Sequence, residues 1–311
     1  MGTLDPTSFT ETGEKGYGKL VVLFEELFPG IKVEPVDVLT TPIGEKVAAE
    51  KKTGKYAMDV ALDGDTELEE QEAEGNLAKF KPANAVNLKY PTYSDPKGYA
   101  YQFQALYNGI TYNTSALSES EVPTTWKELA EPKWHEKFEI LGPTNVLSIR
   151  YIAESLYRHT FDAAAFKAAV ANATITNNFE TFNTDVGEGK VELNVFAPGS
   201  FMLPLKELGQ PVEFANSEAT FPNGIWTAVM TSAPHPEAAR LFDAFLYTQE
   251  AQEAVASETY YFATIKGVPA NSSWPTIELS PGQIPFQEVA AYTARAAKLA
   301  KELYPAGSEN D

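Results

Sequence analysis

The chain has 311 residues, with 43 acidic against 24 basic side chains for a net charge of −19, and no cysteine. That length exceeds one hydrophobic core, so two lobes are the default, while the charge sets the surface against nucleic acid and anionic membrane at long range. The missing cysteines exclude disulfides, thiolate metal sites and cysteine nucleophiles, and no run of about 18 apolar residues offers a membrane span.

The N-terminus, Met1-Gly-Thr-Leu-Asp-Pro6, lacks the basic and apolar regions of a signal peptide, and Met1-Gly2 reads as an added start in place of a removed export signal. An extended piece at Asp5 to Thr10 runs into Glu11, Thr12 and Gly13. A helix carrying Leu20, Val21, Phe24, Leu27 and Phe28 follows and ends at Pro29-Gly30. The next strand is Ile31 to Val36, then a helix near Gly44 to Lys52, a strand at Met58 to Leu62, and a helix over Thr66 to Glu74. This β-α-β-α alternation implies a parallel sheet. In such sheets ligands sit beyond the carboxyl ends of the strands, which puts Thr10, Glu11 and Thr12 at one rim with Asp63, Gly64 and Asp65.

Alternating apolar and polar residues predict a strand over Tyr101 to Asn113. Pro123 with the Thr124-Thr125 pair predicts a short helix from Trp126 to Ala130 that stops before Pro132. Helices are expected after Thr144-Asn145, over Asp162 to Ala171 and over Thr181 to Gly187. A strand is expected at Val191 to Phe196, with a turn at Ala197 to Ser200 before a segment from Phe201 to Leu208. Phe221 to Met230 reads as a further strand. Pro236 suits the first turn of the helix that follows, where Leu241/Phe245 and Phe242/Leu246 repeat at helical spacing. The tail from Pro305 to Asp311 reads as frayed.

Two segments carry a resemblance. Val122-Pro-Thr-Thr-Trp126-Lys-Glu-Leu-Ala-Glu-Pro132-Lys-Trp134, after the turn Tyr112-Asn113-Thr114, resembles a signature of the extracellular solute-binding proteins of ABC importers, in the branch holding ferric-iron, phosphonate, thiamine and polyamine binders. Ala233-Pro-His235-Pro236-Glu237-Ala-Ala-Arg240-Leu-Phe242 echoes the same group, and the likeness covers nearly the whole chain. It implies a two-lobed α/β periplasmic-binding-protein fold of type II, with two crossover strands forming a hinge. The lobes would be 1–103 plus 225–275, and 104–224 plus 276–311. It also implies a periplasmic or extracellular monomer, with lipid anchoring as an option, which closes on a small polar solute and presents it to a permease without entering the membrane.

Enzymatic readings find little support. His135, His159 and His235 have no partner at metal-ligand or triad spacing, and no phosphate loop, dinucleotide fingerprint or Gly-x-Ser-x-Gly is present. The rival from another class is a hydrolase using Glu11 and Asp63 as its carboxylate pair. The acidic run Glu67, Glu69, Glu70, Glu72 and Glu74 reads as a solvated helix. Adjacent tyrosines ligate iron in the ferric members of the resembled group, in the turn after a second-lobe strand; here that turn, Asn194 to Ser200, has none. Tyr260 and Tyr261 lie elsewhere and read as packing residues. The matching anion pocket at Tyr101 to Tyr107 has no arginine or lysine, which weakens the ferric-with-anion and phosphonate readings.

The ligand-binding candidates are Thr10, Glu11, Thr12, Asp63, Asp65, Gln104, Tyr107, Asn145, Phe196, Ser200, Asn223 and Trp226. Asp63 and Asp65 have N-capping of the next helix as their alternative role, and Thr144-Asn145 would present helix N–H groups to an anion or serve as a cap. Phe196, Trp226 and Tyr107 would wall an organic ligand and stack on a cationic group. No catalytic residue, metal or cofactor is expected, and a small organic cation is expected ahead of bare ferric iron.

Overall fold

A computed structural model describes residues 17–35, 43–274 and 283–308. Thr10, Glu11, Thr12 and the first expected strand lie outside them. In chain order the elements are α1 (Tyr17–Leu27), α2 (Ile43–Thr53), β1 (Val60–Asp63), α3 (Asp65–Ala73), β2 (Tyr101–Asn113), α4 (Trp126–Leu129), β3 (Phe138–Leu141) and α5 (Val146–Tyr157). They continue with α6 (Ala163–Val170), β4 (Thr174–Thr176), α7 (Phe179–Asp185), β5 (Leu193–Pro198), α8 (Gly199–Glu207), β6 (Val212–Ala215), β7 (Phe221–Val229), α9 (Pro236–Leu246), α10 (Gln249–Glu258), β8 (Phe262–Ala263) and α11 (Val289–Leu303).

The chain divides into two compact units: unit 1 is 1–105, 224–272 and 285–290, and unit 2 is 106–223, 273–284 and 291–311. The chain changes unit within β2 and again within β7. Residues 276–311, expected as one block of the second lobe, are split, because Pro285–Ala290 fold with unit 1. Phe286 is the anchor there, fully buried against the Trp226 ring at 4.9 Å.

In unit 1, β1 pairs antiparallel with β7, and β8 pairs antiparallel with the start of β2. The parallel arrangement expected for this lobe is therefore not what β1 adopts. The strand expected at Ile31 to Val36 is also not formed over 31–35. Pro35 offers no N–H to a ladder, and the Val33 N–H donates instead to Glu25 Oε1 on α1 at 3.0 Å. The core beneath β1 gathers Met58, Ala61, Leu68, Trp226, Ala228 and Phe286.

In unit 2, β3 runs parallel to both β4 and β5, and β2 pairs antiparallel with β5 and β6. The signature segment is a structural corner. Thr125 caps α4 in a reciprocal box with Glu128, its hydroxyl accepting the Glu128 N–H at 3.2 Å while Glu128 Oε2 accepts the Thr125 N–H at 3.1 Å. Trp126 then packs edge-on to Phe166 at 4.8 Å. The expected fraying of the tail does not extend to Pro305–Ser308, which form a turn closed by the Ser308 hydroxyl donating to the Pro305 carbonyl at 2.8 Å.

Candidate functional site

The polar groups of unit 1 converge where β1 ends. The strand is buried throughout and opens onto Gly64, the cap position of α3. Asp63 Oδ1 accepts the Gly64 N–H at 2.8 Å, and Asp65 Oδ1 accepts the Thr66 N–H at 2.9 Å. Neither aspartate is the N-cap: Gly64 holds that position without a side-chain cap bond. A Cβ on Gly64 would lie 2.4 Å from Glu67 Oε2, so only glycine lets the Glu67 carboxyl fold back over the turn. Three carboxyls thus crowd one helix start, where the helix dipole partly offsets their charge. Asp63 and Asp65 are 5% and 3% exposed. Burial, then the charges of Asp63 and Asp65, push the Glu67 carboxyl up to about 7.

The acidic helix is consequently less solvated than its sequence suggests. Glu72 pairs with Lys97 at 2.6 Å with its own side chain buried, and Glu69 accepts the Ala290 N–H at 2.6 Å. On β2, Gln102 and Gln104 are fully buried. The Gln102 amide donates to the Gln104 carbonyl at 3.2 Å, and the Gln104 amide donates to the Tyr17 hydroxyl. Neither side-chain oxygen has a partner among the described residues. A Cβ on Gly224 would lie 2.0 Å from Gln102 Nε2, so this glycine is what lets the amide cross the strand. Trp226, expected as a pocket wall, is instead core, with 0% exposure.

In unit 2 the polar groups gather where β5 ends. The β2–β5 register shifts between Gly109 and Ile110: Gly109 faces Ala197 and Ile110 faces Val195, leaving Phe196 as the extra residue. Its φ of +73° lies in the left-handed region, which is strained for a bulky side chain. The ring compensates by packing. It stacks on Tyr151 at 4.8 Å and lies 5.8 Å from Trp126 and from Phe221, so Phe196 is core and not a ligand wall. The bulge redirects the chain into α8, whose cap residue Pro198 has no side-chain cap. Ser200, 7% exposed, has no partner for its hydroxyl among the described residues. A Cβ on Gly199 would fall 2.2 Å from the Trp274 ring, so the indole lies flush on the helix start. Asn108, opposite Pro198 in the register, is fully buried with neither amide atom partnered among the described residues.

The other sequence candidates divide as follows. Tyr107 is buried on β2, and Asn223 is half-exposed on β7. Asn145 is the N-cap of α5, its Oδ1 accepting the Leu147 N–H at 2.9 Å, so the cap reading belongs to Asn145 and not to Thr144. Sequence reasoning missed Glu67, Gln102, Asn108 and Trp274. Gln102 and Asn108 had a signal, a buried-strand amide in an apolar run, whereas Trp274 reaches α8 from 74 positions on, counting from Ser200, and had none.

Away from these rims, Asp243 is buried in unit 1, accepts the Thr227 hydroxyl, and is pushed up to about 7 by desolvation. His235 pairs with Asp59 through Nδ1 at 3.0 Å. Among the described residues no group of three or more His, Cys, Asp or Glu is arranged to hold a metal ion, and no helix is long and apolar enough to cross a membrane.

An α/β chain whose two units each bury polar side chains at strand-to-helix turns has the architecture of solute capture. A sequence family described as bacterial extracellular solute-binding protein matches residues 19–279, and the chain belongs to that family. It is the solute-binding component of an ABC importer. The iron uptake protein A1 of Synechocystis is 25% identical over 294 residues, spanning 89% of this chain and 78% of the relative. The fold matches iron-bound HitA of Pseudomonas aeruginosa, with a TM-score of 0.77, 21% identity, and 91% and 94% of the two chains covered. It also matches AfuA of Actinobacillus pleuropneumoniae with fructose-6-phosphate bound, with a TM-score of 0.75, 17% identity, and 97% and 96% covered.

Proposed function

We propose that this solute-binding protein captures a small organic solute carrying a cationic or strongly hydrogen-bond-donating group. The observation that carries the reading is the convergence of Asp63, Asp65 and Glu67 on the first turn of α3. Two of these carboxyls are almost fully buried, and the third is pushed up to about 7 by burial and then by the charges of the other two. A positive group brought to that turn relieves the mutual repulsion, and a charge-assisted hydrogen bond to it contributes about 1.5–3 kcal/mol. An anion there meets the opposite field. Buried amide oxygens on Gln102 and Gln104 add acceptors in the same unit.

Ferric iron is the second reading, favoured by the names of the relatives that bind it. Against it, the turn at Asn194 to Ser200 has no tyrosine, and Tyr260 and Tyr261 sit between α10 and β8 in unit 1. Ferric citrate added to the protein separates the two readings. The organic-cation reading expects no visible tyrosinate charge-transfer band; a strong band lost in Tyr260→Phe or Tyr261→Phe overturns it.

A further inference from the structure

Unit 2 contains a second polar feature, set in the sheet short of the β5–α8 turn. Asn194 on β5 is the register partner of Thr111 on β2 and of Glu139 on β3. Register partners on neighbouring strands present their side chains to the same face, with Cβ atoms roughly 5 Å apart. Three adjacent strands therefore line up a hydroxyl, an amide and a carboxyl at one level. All three are buried, at 2%, 0% and 8% exposure. Thr111 Oγ1, Asn194 Oδ1 and Glu139 Oε2 each have no hydrogen-bond partner among the described residues.

The neighbouring groups leave that row unserved. The Asn194 amide nitrogen is committed to the Phe182 carbonyl of α7. Two residues further along β2, the Asn113 amide donates to the Val186 carbonyl at 2.8 Å. Lys190 is held by Asp185 at 2.7 Å and Glu188 at 2.9 Å. Glu139 itself makes no ion pair among the described residues. Burial and the like charge of Asp185 push the Glu139 carboxyl up to about 7, with Lys190 offsetting them only in part, and the Thr111 hydroxyl supplies one proton for several acceptors.

We propose that Thr111, Asn194 and Glu139 form a binding site for a sodium-class alkali cation inside unit 2. The donor set is all oxygen, which selects hard cations. One formal negative charge against two neutral oxygens matches a monovalent ion better than a divalent one. Thiolate and imidazole ligands are missing from the row, so transition metals are disfavoured. The cation would tie β2, β5 and β3 together and neutralise Glu139, a stabilising role independent of which solute the protein carries.

The test is thermal unfolding of the full chain, with chelator present, in sodium chloride against caesium chloride at equal ionic strength. Sodium is expected to raise the melting temperature by about 2–4 °C over caesium, with saturation. Thr111→Val, nearly isosteric, and Glu139→Gln are each expected to lose that increment. Where Glu139→Gln does not fold, line broadening of the sodium-23 resonance by wild type, absent with Thr111→Val, is the deciding measurement. Equal melting in the two salts, an increment that survives in the variants, or stabilisation by calcium in place of sodium overturns the proposal.

Discussion

The strand-to-helix turns of the two units differ in the chemistry they bury. At the end of β1 in unit 1 the polar side chains are carboxyls, two of them bonded to backbone N–H groups of the turn they flank. At the end of β5 in unit 2 they are neutral, an asparagine and a serine without partners among the described residues, beside a helix start that no side chain caps. A carboxyl cluster excludes anions by charge, whereas neutral amides and hydroxyls accept either end of a polar molecule. On the function proposed above, the carboxyls of unit 1 set the sign of the solute.

The comparison is sharpened first by testing what holds each turn. Phe196→Ala removes the ring that holds the strained bulge of unit 2, and denaturant unfolding should show a loss of about 3–5 kcal/mol. No rim change in unit 1 should approach that, because none removes a buried ring.

Asp243 gives the next largest effect. Its folded value of about 7 lies above the ordinary 3.8. The stabilisation tied to its protonated form is complete below pH 3.8 and is lost as pH rises through about 7. Asp243→Asn should flatten that decline between about pH 4 and pH 7, by roughly 4 kcal/mol in denaturant titrations.

Smaller effects bear on the rims themselves. Glu67→Gln relieves the crowding of unit 1 and should leave stability nearly unchanged while weakening cation binding roughly 10-fold or more by calorimetry. Ser200→Ala in unit 2 removes a buried hydroxyl without a partner, and thermal unfolding should shift by less than about 1 kcal/mol in free energy. Solute-driven closure, the expectation attached to the two crossover strands, predicts a smaller radius of gyration by small-angle scattering once a binding cation is added. An unchanged radius at saturation counts against it.

Much of this was readable from local pattern. The helix starts at Trp126 and Pro236 follow from caps and proline placement, and β2 from its apolar alternation. Asp63 and Asp65 were reachable because they follow an apolar strand. The misreadings share a cause, which is that burial depends on distant chain. Phe196 and Trp226 look like pocket walls in sequence, but Tyr151 and Phe286 cover them from about 45 and 60 positions away. Ile31 to Val36 reads as a strand by composition, yet Pro35 and Glu25 take it out of the ladder. The bulge at Phe196 is a register event between two strands, and no single segment encodes it.

The central claim, that carboxyls of unit 1 select a positive solute, is tested most directly by thermal-shift screening. A matched panel of amines, thiamine-like rings, guanidinium compounds, phosphonates and ferric citrate would be run on wild type, Asp63→Asn and Asp65→Asn. The account predicts stabilisation by cationic members that is lost in the aspartate variants. Stabilisation by phosphonates or ferric citrate alone, unaffected by either substitution, would contradict it.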